Sequence, residues 1–186
     1  MTLSPRAKLL LIALLFALPI IASTITYHFF RPAATGNYGE LLLPPARAPA
    51  EAFGKPGGGR FAFGDVAGKW VLVAADSGVC GEACREKLVT LRQVRLALGR
   101  NAERVERVFV VDDTRAPEPA GLAGFEGMHV ALTPVGLRFP PGAANDRAHV
   151  YLVDPHGNVM MRWPAGADRK RMTKDLERLL KASQIG

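Results

Sequence analysis

Between Leu9 and Phe30 lie 22 residues without a formal charge, LLLIALLFALPIIASTITYHFF. No other feature constrains the fold as strongly. A helix of this length rises about 1.5 Å per residue and covers the roughly 30 Å of a bilayer's hydrocarbon core. Pro19 breaks a soluble helix but is tolerated in a spanning one. Tyr27, His28, Phe29 and Phe30 sit at one end, as an interfacial belt does. Arg6, Lys8 and the N-terminal amine precede the run and only Arg31 follows it closely. The positive-inside bias then puts the N-terminus in the cytoplasm and Pro32–Gly186 outside it. Ile21-Ala22-Ser23 is a poor small-x-small cleavage site. An uncleaved, single-pass anchor over residues 1–31 is therefore preferred to a cleaved signal peptide.

The rest of the 186-residue chain suffices for one domain with a proper core. Hydrophobic residues at 48% and charged residues at 22% exclude a wholly disordered chain and a coiled coil. A formal charge of +7 is the sign expected of a nucleic-acid binder. However, part of it flanks the apolar run, and the densest cluster, Arg169-Lys170-Arg171, opens a helical pattern. A solvated helix face accounts for it, and no nucleic-acid partner is expected.

Residues 32–56, rich in Ala, Pro and Gly, read as a linker. A domain is expected over 57–186. Arg60–Phe63 reads as a short strand, and Lys69–Asp76 (KWVLVAAD) as a buried one. From Cys80 the pattern turns helical, with Cys84, Leu88, Leu91 and Leu98 on one face and Gly99 as the stop. Val105–Asp112 is a second buried strand. Pro117–Phe125 contains a short helix, and Met128–Thr133 is a weaker strand. His149–Asp154 and Val159–Trp163 form a hairpin around Pro155-His156-Gly157-Asn158. Asp168–Ser183 closes as a helix with Met172, Leu176, Leu179 and Leu180 inward. A right-handed βαβ unit followed by a hairpin and a helix gives an α/β mixed sheet with helices on both faces, the thioredoxin-like plan.

The two cysteines, Cys80 and Cys84, stand where a buried strand gives way to a helix. Positions i and i+4 share a helix face, with Cβ atoms about 5–6 Å apart. Such a pair can close a disulfide or hold one soft ion between two thiolates. The helix start favours a thiolate, so Cys80 is expected to be the more reactive and Cys84 the more sheltered. A plain structural disulfide is the bland alternative. Closing so short a loop removes little unfolded-state entropy, which makes it a poor staple and a better switch. Cu(I) accepts two or three soft ligands. His149, His129, Met128, Met160 and Met161 are candidates to complete the set. His149 is preferred because it starts a strand expected beside the cysteines. His129 and Met128 fit packing roles, and His156 a solvated turn.

These features resemble the Sco family, the membrane-anchored, thioredoxin-like copper proteins of cytochrome oxidase assembly. The similar features are the single anchor, Gly68-Lys69-Trp70 before the first long strand, the Cys-x-x-x-Cys, Asp112-Asp113-Thr114, and the run Tyr151–Gly157. Gly81 and Arg85 stand where the family has proline. Asp146 occupies the place of its copper-binding histidine, with His149 the nearest histidine, and Ala148 falls where a thioredoxin-type cis-proline would be. The resemblance implies a single-pass protein of the inner membrane with its domain in the periplasm. It implies a Cys80/Cys84 dithiol; from its strand position His149 is the candidate third copper ligand, and Asp146, close to it in sequence, the candidate hydrogen-bond partner of its second ring nitrogen. The partner is the copper-binding subunit of a respiratory oxidase or another thiol client. The dithiol either handles Cu(I) or keeps the client's cysteines reduced. The alternatives are a general thiol–disulfide oxidoreductase and a non-redox assembly factor.

Overall fold

The computed structural model describes residues 4–29, 36–134, 139–141, 147–183 and 185. Asp146, and with it the expected contact to His149, lies outside them. The chain forms two units, divided between Gly36 and Asn37.

The first unit is helix α1, Pro5–Phe29, with Pro19 inside it. Residues Pro5–Tyr27 are long and apolar enough to cross a membrane, by length and composition. Large apolar side chains such as Leu15 and Phe16 are exposed along it, a surface that suits lipid and not water.

The second unit is built on β1 (Glu40–Arg47), β2 (Phe53–Gly54), β3 (Arg60–Phe61), β4 (Trp70–Asp76), helix α2 (Glu82–Ala97), β5 (Val105–Val111), helix α3 (Pro119–Leu122), β6 (His129–Leu132), β7 (His149–Val153), β8 (Asn158–Pro164) and helix α4 (Arg169–Ala182). The strands make one mixed sheet in the order β1-β8-β7-β4-β5-β6-β2-β3. Strand β4 is central, parallel to β5 and antiparallel to β7. Its continuous apolar run matches a strand buried on both faces: Val71 to Ala75 are at most 2% exposed.

Side chains alternate across the sheet. Leu72, Ala74, Phe109, Val150 and Leu152 face the helix layer, against Leu88 and Leu91 of α2 and Met172 and Leu176 of α4. Val71, Val73, Val108, Val110 and Tyr151 face the other way. Helices were expected on both faces, but α2 and α4 share one. The opposite face is closed by aromatics: Phe63 stacks on Phe139 at 5.4 Å and meets Phe61 edge-on at 5.5 Å. These rings come from the chain before β4 and from a loop, where no periodic pattern announces burial.

Residues 40–47 and 53–54, read from sequence as linker, belong to the sheet. Strand β1 pairs antiparallel with β8, and Glu40 binds Arg162 across the pair at 2.9 Å. Pro44 and Pro45 disguise it. An edge strand tolerates proline because half of its N–H groups need no partner, and the register shifts between Leu41 and Ala46. The strand's start is pinned from the far end of the sequence. The Asp175 carboxylate on α4, 2% exposed, accepts from the Tyr38 and Gly39 amides and from Trp163 Nε1 at 2.8–3.1 Å. A Cβ on Gly39 would lie 2.5 Å from Trp163 Nε1, so only glycine fits.

Candidate functional site

The carboxyl ends of β4 and β5 converge on the start of α2. After Asp76 ends β4, the loop Ser77–Val79 leads to Cys80. Gly81 is the N-cap and offers no side-chain cap. Cys84 is the third helical residue, and the first helical hydrogen bond runs from the Arg85 amide to Gly81 O at 2.9 Å. The Cα atoms of Cys80 and Cys84 stand 5.2 Å apart and their sulfurs are bonded, a separation within the ordinary disulfide range. Cys84 is 3% exposed and packs on the Leu88 row. Cys80 is half-buried, next to Val79, which is 62% exposed.

A charge network stands behind the pair. Lys87, one turn beyond Cys84, is 1% exposed. Its Nζ pairs with Asp76 at 2.6 Å and donates to the carbonyls of Ala75 and Arg147. Arg147 grips Asp112 through two bonds, Nε to Oδ2 at 3.0 Å and Nη2 to Oδ1 at 2.6 Å. That bonding pushes the Arg147 guanidinium up, and it stays cationic. The chain entering β7 is thus fixed by both its backbone and its side chain. Asp113 holds the loop before Cys80. It accepts from Ser77 Oγ at 2.6 Å, from the Gly78 and Arg115 amides at 3.0 and 3.1 Å, and from Arg115 Nε at 3.0 Å. Burial opposes ionisation of Asp113, but these hydrogen bonds outweigh it and hold the carboxyl well below the ordinary carboxylate range.

A carboxyl whose folded-state value is depressed contributes stability that is fully present above its unfolded value of about 4 and is lost as pH falls toward the folded one. Urea midpoints measured from pH 6 down to pH 3 should therefore fall less steeply for Asp113→Asn than for the parent chain. Parallel pH profiles would contradict the role assigned to these bonds.

Sequence reasoning singled out Asp112 and Asp113 but missed Lys87 and Arg147. The available signal was a lysine three residues after Cys84, beside the apolar stripe, where a solvated residue is not expected.

The other candidates are scattered. His149 begins β7 on the same face as Tyr151, with ring centroids 6.2 Å apart. Val150 and Leu152 face the helix layer that holds Cys84. Strand alternation thus turns His149 to the opposite face of the sheet from Cys84. The sequence expectation had placed it beside the cysteines, because which face a strand's first residue takes depends on pairing. His129, at the β6 end remote from the cysteines, stacks on Phe61 at 5.0 Å and lies 3.8 Å from Glu106. Desolvation lowers its pKa against the pull of Glu106. Met128 and Met160 pack against the helix-side core and Met161 lies within it. His156 sits in the β7–β8 turn at the far end of the sheet. Among the described residues no cluster of three His, Cys, Asp or Glu side chains could hold a metal ion; the two sulfurs are the soft donors brought together.

Fold and site together define a thioredoxin-like domain carrying a Cys-x-x-x-Cys disulfide at a strand–helix junction. The chain belongs to the family described as transmembrane-like, thioredoxin-like, C-terminal domain, whose model matches residues 70–183. Solved Sco proteins share the fold. Apo Sco1 from Thermus thermophilus is 21% identical with a TM-score of 0.62, over 80% of this chain and 99% of that one. Yeast Sco1 is 17% identical with a TM-score of 0.59, over 75% and 97%, and has also been solved with copper bound. BsSco, described as a Sco-family cytochrome c oxidase assembly protein with a disulfide switch, is 13% identical with a TM-score of 0.56, over 75% and 96%. No curated protein sequence matches significantly.

Proposed function

We propose that this chain is a membrane-anchored Sco-type protein. In this reading its Cys80/Cys84 dithiol reduces the cysteines of a client on the outer side of the inner membrane, the copper-binding subunit of a respiratory oxidase. The observation that carries it is the asymmetry of the pair: Cys80 half-buried at a cleft, and Cys84 buried one turn away within bonding reach. The Cys80 thiolate attacks one sulfur of a client disulfide. The client's other sulfur leaves as thiolate, and a mixed disulfide forms. The Cys84 thiolate then attacks Cys80 Sγ, which frees the second client thiolate and closes the Cys80–Cys84 disulfide. Two electrons pass to the client, and an external dithiol restores the protein. The apolar helix α1 supports anchoring, the order of basic residues around it supports a periplasmic domain, and the assembly role described for BsSco supports the choice of client.

Cu(I) carriage as cargo by the same two thiolates is the second reading, favoured by the copper-bound structure of yeast Sco1. Cu(I) accepts two soft ligands, which Cys80 and Cys84 supply. The ligand set expected from sequence also included His149, whose face of the sheet argues against it.

The deciding experiment uses the full chain, fully reduced, in detergent. Mixed with the disulfide form of an oxidase copper-subunit domain, it should convert that domain to dithiol with a stoichiometry of about one, one dithiol per disulfide. A parallel Cu(I) titration against a chromophoric chelator tests the second reading. Copper retention without disulfide reduction would replace the first reading by the second.

A further inference from the structure

Beside Cys80 lies a cleft of about 200 Å³. Gly78, Val79 and Cys80 form one wall, and Ala116, Pro117 and Leu122 the other. The walls are joined tightly. A Cβ on Gly78 would collide with the Arg115 carbonyl oxygen, and the Asp113 carboxylate bonds both loops at once, through Ser77 and Gly78 on one side and Arg115 on the other. The cleft is thus held by backbone contact and by a hub of hydrogen bonds. Its lining is largely apolar, and among the described residues Glu118 is the one charged group that lines it.

We infer that this cleft is a client subsite for one large apolar side chain, leucine-like or phenylalanine-like, adjacent to the client's reacting cysteine. The inference rests on the exchange reading above and adds the substrate class. Three observations select the occupant. Cys80 is itself part of the wall, so a residue next to the client's reacting cysteine lies within reach of the cleft. The volume suits a single large side chain and is too small for a folded element. The Val79, Ala116, Pro117 and Leu122 lining rewards apolar surface, while Glu118 repels an acidic residue at the same place. Discrimination by one apolar pocket of this kind is worth about tenfold to a hundredfold in rate.

The test uses the reduced full chain in detergent and three short peptides. Each carries its cysteine as a mixed disulfide with thionitrobenzoate, followed by Leu, Gly or Asp. Cys80 attacks the peptide sulfur and releases thionitrobenzoate, whose colour gives the rate. Cys84 then displaces the peptide thiol. The Leu peptide should react about tenfold faster than the Gly peptide, and the Asp peptide more slowly than either. Gly121 lines the cleft, and a Cβ there meets nothing within 4 Å. Gly121→Phe should therefore fill the cleft and bring the Leu-to-Gly rate ratio toward one. The exposed Glu118 gives a second variant of low folding risk: Glu118→Gln should raise the Asp-peptide rate relative to Gly. Equal Leu and Gly rates in the parent chain, or a ratio unmoved by Gly121→Phe, would overturn the subsite while leaving exchange intact. Failure to react with all three peptides would overturn the exchange reading, and the subsite with it.

Discussion

A Cys80→Ser chain should lose disulfide exchange by about a thousandfold or more, the scale of loss when a nucleophile is removed. A Cys84→Ser chain should attack once and stop as a mixed disulfide. The difference follows from position. Cys80 is half-buried and borders the cleft beyond the end of the sheet. Cys84 is 3% exposed and turned into the Leu88 row, where only Cys80 lies within reach. A serine hydroxyl at either place is a far weaker nucleophile at neutral pH than a thiolate. Non-reducing mass spectrometry after incubation with a disulfide peptide reads both outcomes. The Cys84→Ser protein should gain the mass of one peptide half, and the Cys80→Ser protein should gain nothing. The reverse pattern would make Cys84 the attacking sulfur and would require α2 to open before reaction.

Replacing Lys87 should cost about 3–5 kcal/mol, the range for removing one partner of a buried ion pair. Its side chain is 2% exposed and that of Asp76 is 14% exposed, so Lys87→Met strips a poorly solvated carboxylate of its close cation and leaves it the more distant Arg147 Nη1, at 3.8 Å. The carbonyls of Ala75 and Arg147 lose their donor in the same step. For a domain of about 150 residues this amounts to a fall in Tm of roughly 8–15 °C. The double variant Lys87→Met with Asp76→Asn should recover part of the loss, because neutralising both partners leaves no stranded charge. A Tm within about 3 °C of the parent for Lys87→Met would mean that water or Arg147 takes over the compensation of Asp76. The Arg147 backbone is held by Lys87 and its side chain by Asp112, so the variant should also loosen the start of β7 beside the cysteine site.

The elements legible in the sequence are those whose burial is local in pattern. The Trp70–Asp76 run, the Cys84–Leu88–Leu91 stripe, the hairpin around Gly157 and the Met172–Leu176–Leu180 stripe each carry their own periodicity. Asp168 is observed as the N-cap of α4, accepting from the Arg171 amide at 3.0 Å. Strand β1 escaped because nothing nearby marks it. Its two prolines oppose a strand reading, and its partners, Arg162 and Met161, lie more than a hundred residues away. The aromatic cover of the second sheet face escaped for the same reason: Phe53, Phe61, Phe63 and Phe139 sit in turns and two-residue strands.

The candidate site divides along the same line. The sequence by itself determined that two cysteines stand at the mouth of a helix with a buried strand behind them, because a strand–helix boundary and a four-residue spacing are local facts. Only the tertiary structure decided what surrounds them. His149 and Val150 are neighbours in sequence, yet one faces Tyr151 and the other the helix layer, since side chains in a strand alternate and its phase is fixed by pairing with β4 and β8. Lys87 and Asp76, Arg147 and Asp112, Gly78 and Arg115 meet only when β4 and β5 end, and β7 begins, at the same edge of the sheet, and a charge shows whether it is solvated or paired only once its neighbours are in place.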